Sequence, residues 1–421
     1  MKQLIAFCCT FSILMNIVFA QNAPPPQANV QYQPYILNQL NKDVVVSDIN
    51  MHGDVTGWIE DEGVTPTAFI YKNSGPISQR WVFFEKGDMR IHTKGFGITN
   101  DQTVIGSRKT TNKGLQGMRW WQSTSNQLGY NTAVLEIAPG NANLRDYEIL
   151  GALNIGNTPN YAYVGNATVE RQFPTGFNNK VETKLVRQAF IKRPAGYTWL
   201  PTPFVPEEGN LENAAAGGNK FLYSYFAGGR SGLYNYIVGS AEHDGNKRWA
   251  VYWQFQKTNY DDLMDAGSWK PFVIKTNNDA HLNAVAMFGN AVRPMAVGYY
   301  MSAGSNAWMF DLSESTNYRM NELTPNATSE AFDCTYIGAD RKLPYDFLVV
   351  GKCGNSAVKW EFNSSANIRS HKVVDLFTVM NQRLYDGLTL STAVAVNNKG
   401  QILCLGQYKG RKVGVILTPK E

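Results

Sequence analysis

The chain has 421 residues, a formal net charge of +5 and 17% charged residues, which gives no electrostatic case for a nucleic-acid-binding surface. Lys and Arg are spread along the sequence, and no run of them exceeds two residues. The 12% aromatic content, with 37 glycines and 21 tyrosines, favours an all-β protein over a helical one.

The first 20 residues have the pattern of a secretory signal peptide. Lys2 supplies a positive charge, an apolar run extends from Leu4 to Val18, and Val18-Phe19-Ala20 fits a small-residue cleavage site. The run is short for a membrane anchor, which needs about 20 residues. We therefore predict a secreted or periplasmic protein without a membrane span. Its Pro/Gln-rich linker covers residues 21–33, and its single folded domain covers 34–421.

From position 46 onward, a short phrase recurs about every 50 to 70 residues, the mark of a repeat architecture. An apolar stretch reaches a tight turn, a second stretch ends in Val-Gly or Ile-Gly, and a third carries aromatic residues. The first copy begins at Val46 and the last at Ala393, with five weaker copies between them. The residues that mark the second stretch of each copy are Gly57, Gly106, Gly165, Gly239, Gly298, Gly351 and Cys404.

Short β-like units of this kind cannot bury their apolar faces alone, so the copies must pack against one another. A ring of three- or four-stranded sheets satisfies this demand, and we predict a β-propeller with seven blades, or six or eight if a weak copy is miscounted. Asn50–Gly53 and Asn397–Gly400 are predicted hairpin turns. The last copy has only three strands, so we predict that Tyr35–Leu40 pairs beside Val413–Leu417 and closes the ring.

Three cysteines follow the signal segment. Cys334 and Cys353 fall on two successive strands of one copy, and their spacing predicts a disulfide bond in an exported protein. Three buried free thiols are the alternative. Cys404 stands where the first copy has Gly57, and we expect it to be packed in the core.

The first and last copies also resemble a known repeat. Ala395-Val396-Asn397-Asn398 followed by Gly400-Gln401-Ile402, and Ala68-Phe69-Ile70-Tyr71 after Gly57, resemble the HAF-type extracellular repeat of secreted bacterial proteins. The resemblance is good in copies one and seven, partial in copy two and degenerate in the others. It implies an exported propeller-like protein, and it brings no established activity or active-site residues.

A search for catalytic motifs finds no candidate. The five histidines, at 52, 92, 243, 281 and 371, have no metal-ligand spacing. The sequence has no Gly-x-Ser-x-Gly nucleophile elbow, and no cysteine lies near a histidine. We therefore assign no catalytic residue, no metal site and no cofactor.

In a propeller, the hairpins that join second and third strands gather on one face, which we call the loop face. Here those hairpins carry mixed charges, and the segment Thr168–Lys184 of copy three is the longest. We predict that a monomer binds its ligand on this face, because the Asn-Gly turns opposite leave little chain to build a pocket. The predicted binding residues are Arg108, Lys109, Phe173, Phe177, Arg248 and Arg411.

Two classes of function remain open. In the first, the protein is a non-catalytic module that recognises a protein or a glycan, and alanine at Phe173 or Arg248 weakens binding without lowering the melting temperature. In the second, it is a secreted glycan-active hydrolase or lyase. Its carboxylates would come from several blades and converge within about 10 Å at the channel mouth. Linear motifs do not reveal such a site.

Overall fold

The computed structural model describes residues 30–39, 42–61, 64–85, 90–112, 114–123, 129–135, 144–154, 161–175, 180–193, 196–203, 224–227, 230–231, 235–243, 247–274, 276–288, 293–337, 343–364, 368–381 and 385–420. These residues form seven sheets arranged as the blades of a β-propeller. The predicted fold class and blade number are confirmed. Residues 1–29, which include the predicted signal peptide, lie outside the described part of the chain.

The first strand, β1 (Tyr32–Leu37), precedes the blades. Blade 1 contains β2 (Asp43–Ile49), β3 (Val55–Asp61), β4 (Val64–Tyr71) and β5 (Trp81–Phe83). Blade 2 contains β6 (Ile91–Ile98), β7 (Val104–Thr110), β8 (Leu115–Gln122) and β9 (Tyr130–Val134). Blade 3 contains β10 (Leu144–Asn154), β11 (Tyr161–Thr175), β12 (Lys180–Arg193) and β13 (Gly196–Trp199).

Blade 4 contains β14 (Ser224–Ala227), β16 (Tyr236–His243), β17 (Lys247–Phe255) and β18 (Trp269–Ile274). Blade 5 contains β15 (Arg230–Ser231), β19 (Ala280–Phe288), β20 (Arg293–Met301), β21 (Ser305–Asp311) and β22 (Thr316–Arg319). Blade 6 contains β23 (Ser329–Tyr336), β24 (Phe347–Cys353), β25 (Ser356–Phe362) and β26 (Lys372–Asp375). Blade 7 contains β27 (Leu388–Val396), β28 (Ile402–Tyr408) and β29 (Arg411–Pro419). Short 3-10 helices cover Ile77–Gln79, Tyr260–Met264, Ala266–Ser268 and Leu376–Val379.

The core consists of seven apolar layers, and each layer lies between two neighbouring blades. Every sheet is therefore buried on both faces, which explains why its strands are apolar rather than strictly alternating. Trp120 and Trp253 are fully buried in these layers, and Trp308 and Phe310 are nearly so. These four aromatic residues of the third strands therefore pack between neighbouring sheets.

The ring is closed by β1, as predicted. Residues Tyr32–Leu37 pair antiparallel with β29, and Tyr35 lies opposite Ile416. The strand begins two residues before the predicted domain boundary at position 34, so Tyr32 and Gln33 belong to the ring and not to the linker. The end of the predicted segment, Leu40, lies outside the described residues.

The Val-Gly phrase marks a bulge in the innermost strand of the blades. In blade 6, the register slips between Ala331 and Asp333, and the bulge brings a backbone carbonyl against Gly351. A Cβ at Gly351 would lie 2.0 Å from the carbonyl oxygen of Glu330, so only glycine fits there. The same close approach occurs at Gly57, Gly106, Gly165, Gly298 and Gly406.

The innermost strand of blade 7 has two register slips. The carbonyl oxygen of Thr389 approaches Gly406, and the register slips beside it between Leu390 and Thr392. The other slip, between Ala393 and Ala395, lies beside Cys404, just as the slip between Val46 and Asp48 lies beside Gly57, so Cys404 occupies the position that the sequence alignment gave it. Cys404 is fully buried in the core, in agreement with the predicted packing role.

The predicted disulfide bond is wrong. Cys334, Cys353 and Cys404 are free and buried. Cys334 lies opposite Val349, and Cys353 lies four residues further along β24, which corresponds to roughly 13 Å at about 3.3 Å per residue. Two cysteines whose Cα atoms are more than about 7 Å apart cannot be bridged without backbone movement.

The predicted Asn-Gly turns are hairpin turns, and they are tied to one another. Gly53 and Gly400 have φ values of 84° and 71°, the left-handed conformation that glycine adopts readily. The side-chain amide of Asn397 donates to the backbone oxygen of Asn50 at 2.8 Å, and that of Asn50 donates to the oxygen of Thr99 at 3.1 Å. The turns of blades 7, 1 and 2 therefore form a hydrogen-bonded chain on what we call the turn face.

Candidate functional site

The predicted basic residues lie at the ends of second and third strands on the loop face. Arg108 and Lys109 are on β7, Arg248 is the second residue of β17, and Arg411 is the first residue of β29. They are strand residues that flank the hairpins, rather than loop residues. Lys109 and Arg411 are exposed, whereas Arg108 and Arg248 are half-buried.

The two half-buried arginines are engaged in ion pairs. Arg108 lies 3.3 Å from Glu85, and Arg248 lies 3.8 Å from Glu242. Burial raises the pKa of Glu85, although Arg108 acts in the opposite direction. The backbone N–H of Arg248 donates to Asp279 at 2.9 Å. Each arginine therefore has an acidic partner, and the side chains of the Arg248–Glu242 pair remain partly exposed to solvent.

The two predicted aromatic residues belong to blade 3. Phe173 is a residue of β11, opposite Glu182 in the register, and only its backbone is described. Phe177 lies outside the described residues. The expected loop from Thr168 to Lys184 is largely strand, because β11 continues to Thr175 and β12 begins at Lys180. This hairpin is the longest among the described strands.

The hairpins of blades 2 and 3 are in contact on the loop face, but the six predicted residues do not form one cluster. Arg108 lies opposite Gln116, and the neighbouring Leu115 donates its N–H to Asp146 of β10 at 2.6 Å. On the same strand as Asp146, Glu148 forms an ion pair with Arg187 of β12. This sequence of contacts joins the Arg108 hairpin to the blade 3 hairpin. Arg248 and Arg411 belong to blades 4 and 7.

A groove lies where the fourth strand of blade 3 ends. β13 pairs with β12 only up to Trp199, which is opposite Phe190, while β12 extends from there back to Lys180. The step between the two strands opens a cavity of about 530 Å³. It is lined by Val169, Glu170, Arg171, Gln172, Thr183, Gln188 and Trp199. We call it the hairpin groove.

The polar side chains of the hairpin groove are pre-arranged. Arg171 donates from Nη2 to Oε1 of Gln188 at 2.7 Å. Gln188 is only 4% exposed, so a buried carboxamide holds an exposed guanidinium in position. Trp199 is half-buried and packs at 6.0 Å from Phe190 in an edge-to-face arrangement. The sequence predicted neither Gln188 nor Trp199 as a site residue, because Gln188 falls in the apolar third stretch of copy three and Trp199 falls in no copy.

A second cavity, of about 270 Å³, lies on the turn face around the ring axis. Its lining comes from blades 1, 2, 3, 6 and 7 and includes Asp48 and Asp333. Asp48 accepts the N–H of Ile49 and that of Ile98 in the next blade, both at 2.9 Å. Asp333 accepts the N–H of Cys334 and that of Val396 in the same way. Both carboxylates therefore tie neighbouring bulged strands together.

Metal ligands and membrane-crossing helices were also sought in the described ranges. Those residues contain no group of three His, Cys, Asp or Glu side chains placed to hold a metal ion. Within the same ranges, no helix has the length and apolar character needed to cross a membrane.

Comparison with known proteins does not show a family for this chain. No protein-family model matches the chain, and no curated protein matches it. Among solved structures, YCF48 bound to a D1 peptide is similar at 11% identity over 94% of this chain and 100% of that chain, with a TM-score of 0.47. An oligogalacturonate lyase from Vibrio parahaemolyticus is similar at 10% identity over 94% and 98%, with a TM-score of 0.46.

A chain of a mitotic checkpoint complex is similar at 11% identity over 94% of this chain and 98% of that chain, with a TM-score of 0.43. Likeness at this level carries no information about ligand or activity. The fold and the groove define the class: a seven-bladed β-propeller with an extended hairpin on the loop face of blade 3.

Proposed function

We propose that this protein is an exported, non-catalytic binding module that recognises a protein or glycan through the loop face of blades 2 and 3. The observation that carries the proposal is the β11–β12 hairpin, which continues beyond the fourth strand of its own blade and opens the hairpin groove. A propeller needs no such extension to close its ring. Chain that extends beyond a packed scaffold is where binding residues concentrate.

The other class, a glycan-active hydrolase or lyase, requires carboxylates that are poised for proton transfer or nucleophilic attack. Asp48 and Asp333 lie at the channel mouth, and each accepts backbone hydrogen bonds from its own blade and from the next one. This bonding favours a structural role for the two residues. The binding class therefore fits the described side chains better.

Trimming the hairpin tests the proposal. Glu170 lies directly opposite Leu185, so residues 171–184 can be replaced by an Asn-Gly turn without changing the register below. The purified chain from Gln21 onward and the trimmed variant are both screened on a glycan array and against a panel of purified cell-envelope proteins. We expect a ligand that binds the parent chain and is lost on trimming, with an unchanged melting temperature.

A matched control alters the opposite face. His52 and Asn398 are exposed on the turn face, and the double variant His52→Ala, Asn398→Ala removes both side chains. This variant should bind as the parent does. If binding survives trimming but is lost in the turn-face variant, the ligand binds on the turn face and the proposal is wrong. If the parent chain binds no ligand in either screen, the result counts against a binding function.

A further inference from the structure

One arginine between blades 2 and 3 forms no ion pair with any acidic residue in the described part of the chain. Arg119 is on β8, the third strand of blade 2, and it is half-buried against blade 3. Its Nη1 donates to the hydroxyl of Tyr163 in β11 at 3.4 Å, and its buried Nε finds no acceptor among the described residues. Charged side chains that leave water usually have a charged partner, so this one needs an explanation.

An aromatic neighbour holds the guanidinium in place. The Cζ atom of Arg119 lies 4.1 Å from the ring centre of Trp121, two residues further along β8, so the guanidinium stacks on the indole ring. Stacking occupies the face of the guanidinium, whereas its five N–H donors lie in the plane and point away from the ring. Both residues are half-buried, so solvent reaches them. The pair therefore presents a fixed, planar set of donors to a solute.

A second cation faces the same space from blade 3. Lys192 of β12 is only 9% exposed and lies directly opposite Tyr163 in the register. Directly opposed residues of antiparallel strands project to the same side of the sheet, with Cβ atoms about 5 Å apart. Tyr197 of β13 lies opposite Lys192 and extends this row. We call the space bounded by Arg119, Trp121, Tyr163, Lys192 and Tyr197 the blade 2–3 cleft.

The polar neighbours of Arg119 do not neutralise its charge. Burial raises the pKa of Tyr163, although Arg119 acts in the opposite direction. The hydroxyl of Tyr163 is therefore protonated and uncharged at neutral pH. Asp101, in the turn that joins β6 to β7, also acts on that pKa, but its carboxylate accepts hydrogen bonds from Thr99 and Thr103 in its own turn. The positive charge of Arg119 is left for a solute to balance.

We propose that the blade 2–3 cleft binds an oxyanion, namely the phosphate, sulfate or carboxylate group of a small solute. The planar fork of a guanidinium fits the oxygen atoms of these groups, and the ammonium of Lys192 adds a second positive charge nearby. The site is separate from the hairpin groove and goes beyond the loop-face function proposed above. Arg119, Tyr163 and Lys192 all lie outside the segment 171–184 that hairpin trimming removes.

Titration calorimetry with inorganic phosphate, sulfate and glutarate tests the inference, with sodium chloride holding the ionic strength constant. We expect the purified chain from Gln21 onward to bind at least one of these anions saturably, and the tightest of them identifies the group. Arg119→Gln keeps a polar side chain but removes the charge, and it should weaken that binding by roughly tenfold or more. Arg319→Gln is the matched control. It removes the same charge from blade 5, where Glu322 and Asn306 hold the guanidinium, and should leave the affinity unchanged.

A second measurement needs no variant. Phenylglyoxal modifies accessible guanidinium groups, and peptide mass spectrometry reports the extent of modification at each arginine. The bound anion should slow the modification of Arg119 and leave that of Arg319 unchanged. This readout stays informative even if Arg119→Gln does not fold.

The possible results separate this inference from the loop-face function. The inference is overturned if none of the three anions binds saturably, if the parent chain and Arg119→Gln bind with equal affinity, or if the anion protects Arg119 no better than Arg319. The hairpin-trimmed variant should bind the anion as the parent does, and loss of the anion on trimming would place it outside the blade 2–3 cleft. Failure of the glycan and protein screens would overturn the loop-face function alone.

Discussion

At the scale of single residues, the glycine of the Val-Gly phrase explains why the sequence repeats as it does. The bulged inner strand pushes a carbonyl oxygen into the space that a Cβ would occupy, and Gly351 shows the geometry in blade 6. The bulge also leaves a backbone carbonyl oxygen that accepts a hydrogen bond from a side chain of the previous blade. Ser47 donates to the oxygen of Gly95 at 2.8 Å, and Asn283 donates to that of Ala331 at 2.7 Å.

Substitution of Gly351 by alanine should therefore destabilise the protein. The added Cβ would lie 2.0 Å from a backbone oxygen that cannot move aside without disturbing the ladder, so we expect a loss of at least 1–3 kcal/mol, roughly the cost of overpacking. Urea unfolding measures the change. Gly196→Ala is the matched control, since a Cβ there meets nothing within 4 Å and the backbone is not left-handed. Equal stability of both variants would refute the steric account.

At the scale of strands and blades, the fold was predictable because the signal is repeated. The strand–turn–strand phrase fixed the blade number and the hairpin turns, and a missing strand in the last copy predicted closure by β1. Features that depend on register were not predictable. The predicted disulfide bond is wrong because Cys334 and Cys353 lie at different heights of one ladder, and the second bulge of blade 7, beside Gly406, has no counterpart in the repeated phrase.

The candidate site was predicted only in part, for the same physical reason. The choice of face and the long chain segment of blade 3 follow from topology and length. The hairpin groove depends on where β13 stops along β12, and that point follows from pairing between distant residues. Gln188 carries no signal in the sequence, since a polar residue in an apolar strand usually faces solvent, whereas here it is buried beneath Arg171.

The contact between blades 4 and 5 should make stability depend on pH. His281 of β19 lies with Nδ1 2.8 Å from Oγ of Ser240 in β16. Burial, and secondarily the charge of Arg248, lower the pKa of His281 to about 4. An unfolded histidine titrates near 6.5, so between pH 6.5 and 4 the unfolded chain binds a proton that the folded chain does not. The free energy of unfolding therefore falls as the pH is lowered through this window.

Urea unfolding between pH 7.5 and 4.5 measures this dependence. The parent chain should lose stability on acidification more steeply than His281→Asn, which lacks the titrating ring. His52→Asn alters an exposed histidine of the turn face and should follow the parent curve. Parallel curves for the parent and His281→Asn would show that the blade 4–blade 5 contact is not the source of the pH dependence.

At the scale of the whole molecule, the ring is joined at one seam by a buried polar cluster. Lys359 of β25 is fully buried, with its Nζ 2.5 Å from Glu361 and 4.5 Å from the ring centre of Tyr32 in the closing strand β1. The hydroxyl groups of Tyr32 and Tyr345 are 2.8 Å apart. Burial lowers the pKa of Lys359, and Glu361 opposes that effect. Blade 6 thus contacts the N-terminal strand through a charge that is removed from water.

Removal of one partner of the Lys359–Glu361 ion pair should lower the free energy of unfolding more than removal of both partners. Lys359→Met leaves the carboxylate of Glu361 buried without its partner, and we expect a loss of about 3–5 kcal/mol, whereas Lys359→Met with Glu361→Leu should recover most of it. Lys352 and Glu330, 3.3 Å apart in the same blade but partly exposed, provide the matched control. Lys352→Met should cost no more than about 1 kcal/mol. Equal costs for the two lysine variants in urea unfolding would mean that ring closure does not depend on the buried charge, and that the β1–β29 ladder alone holds the seam.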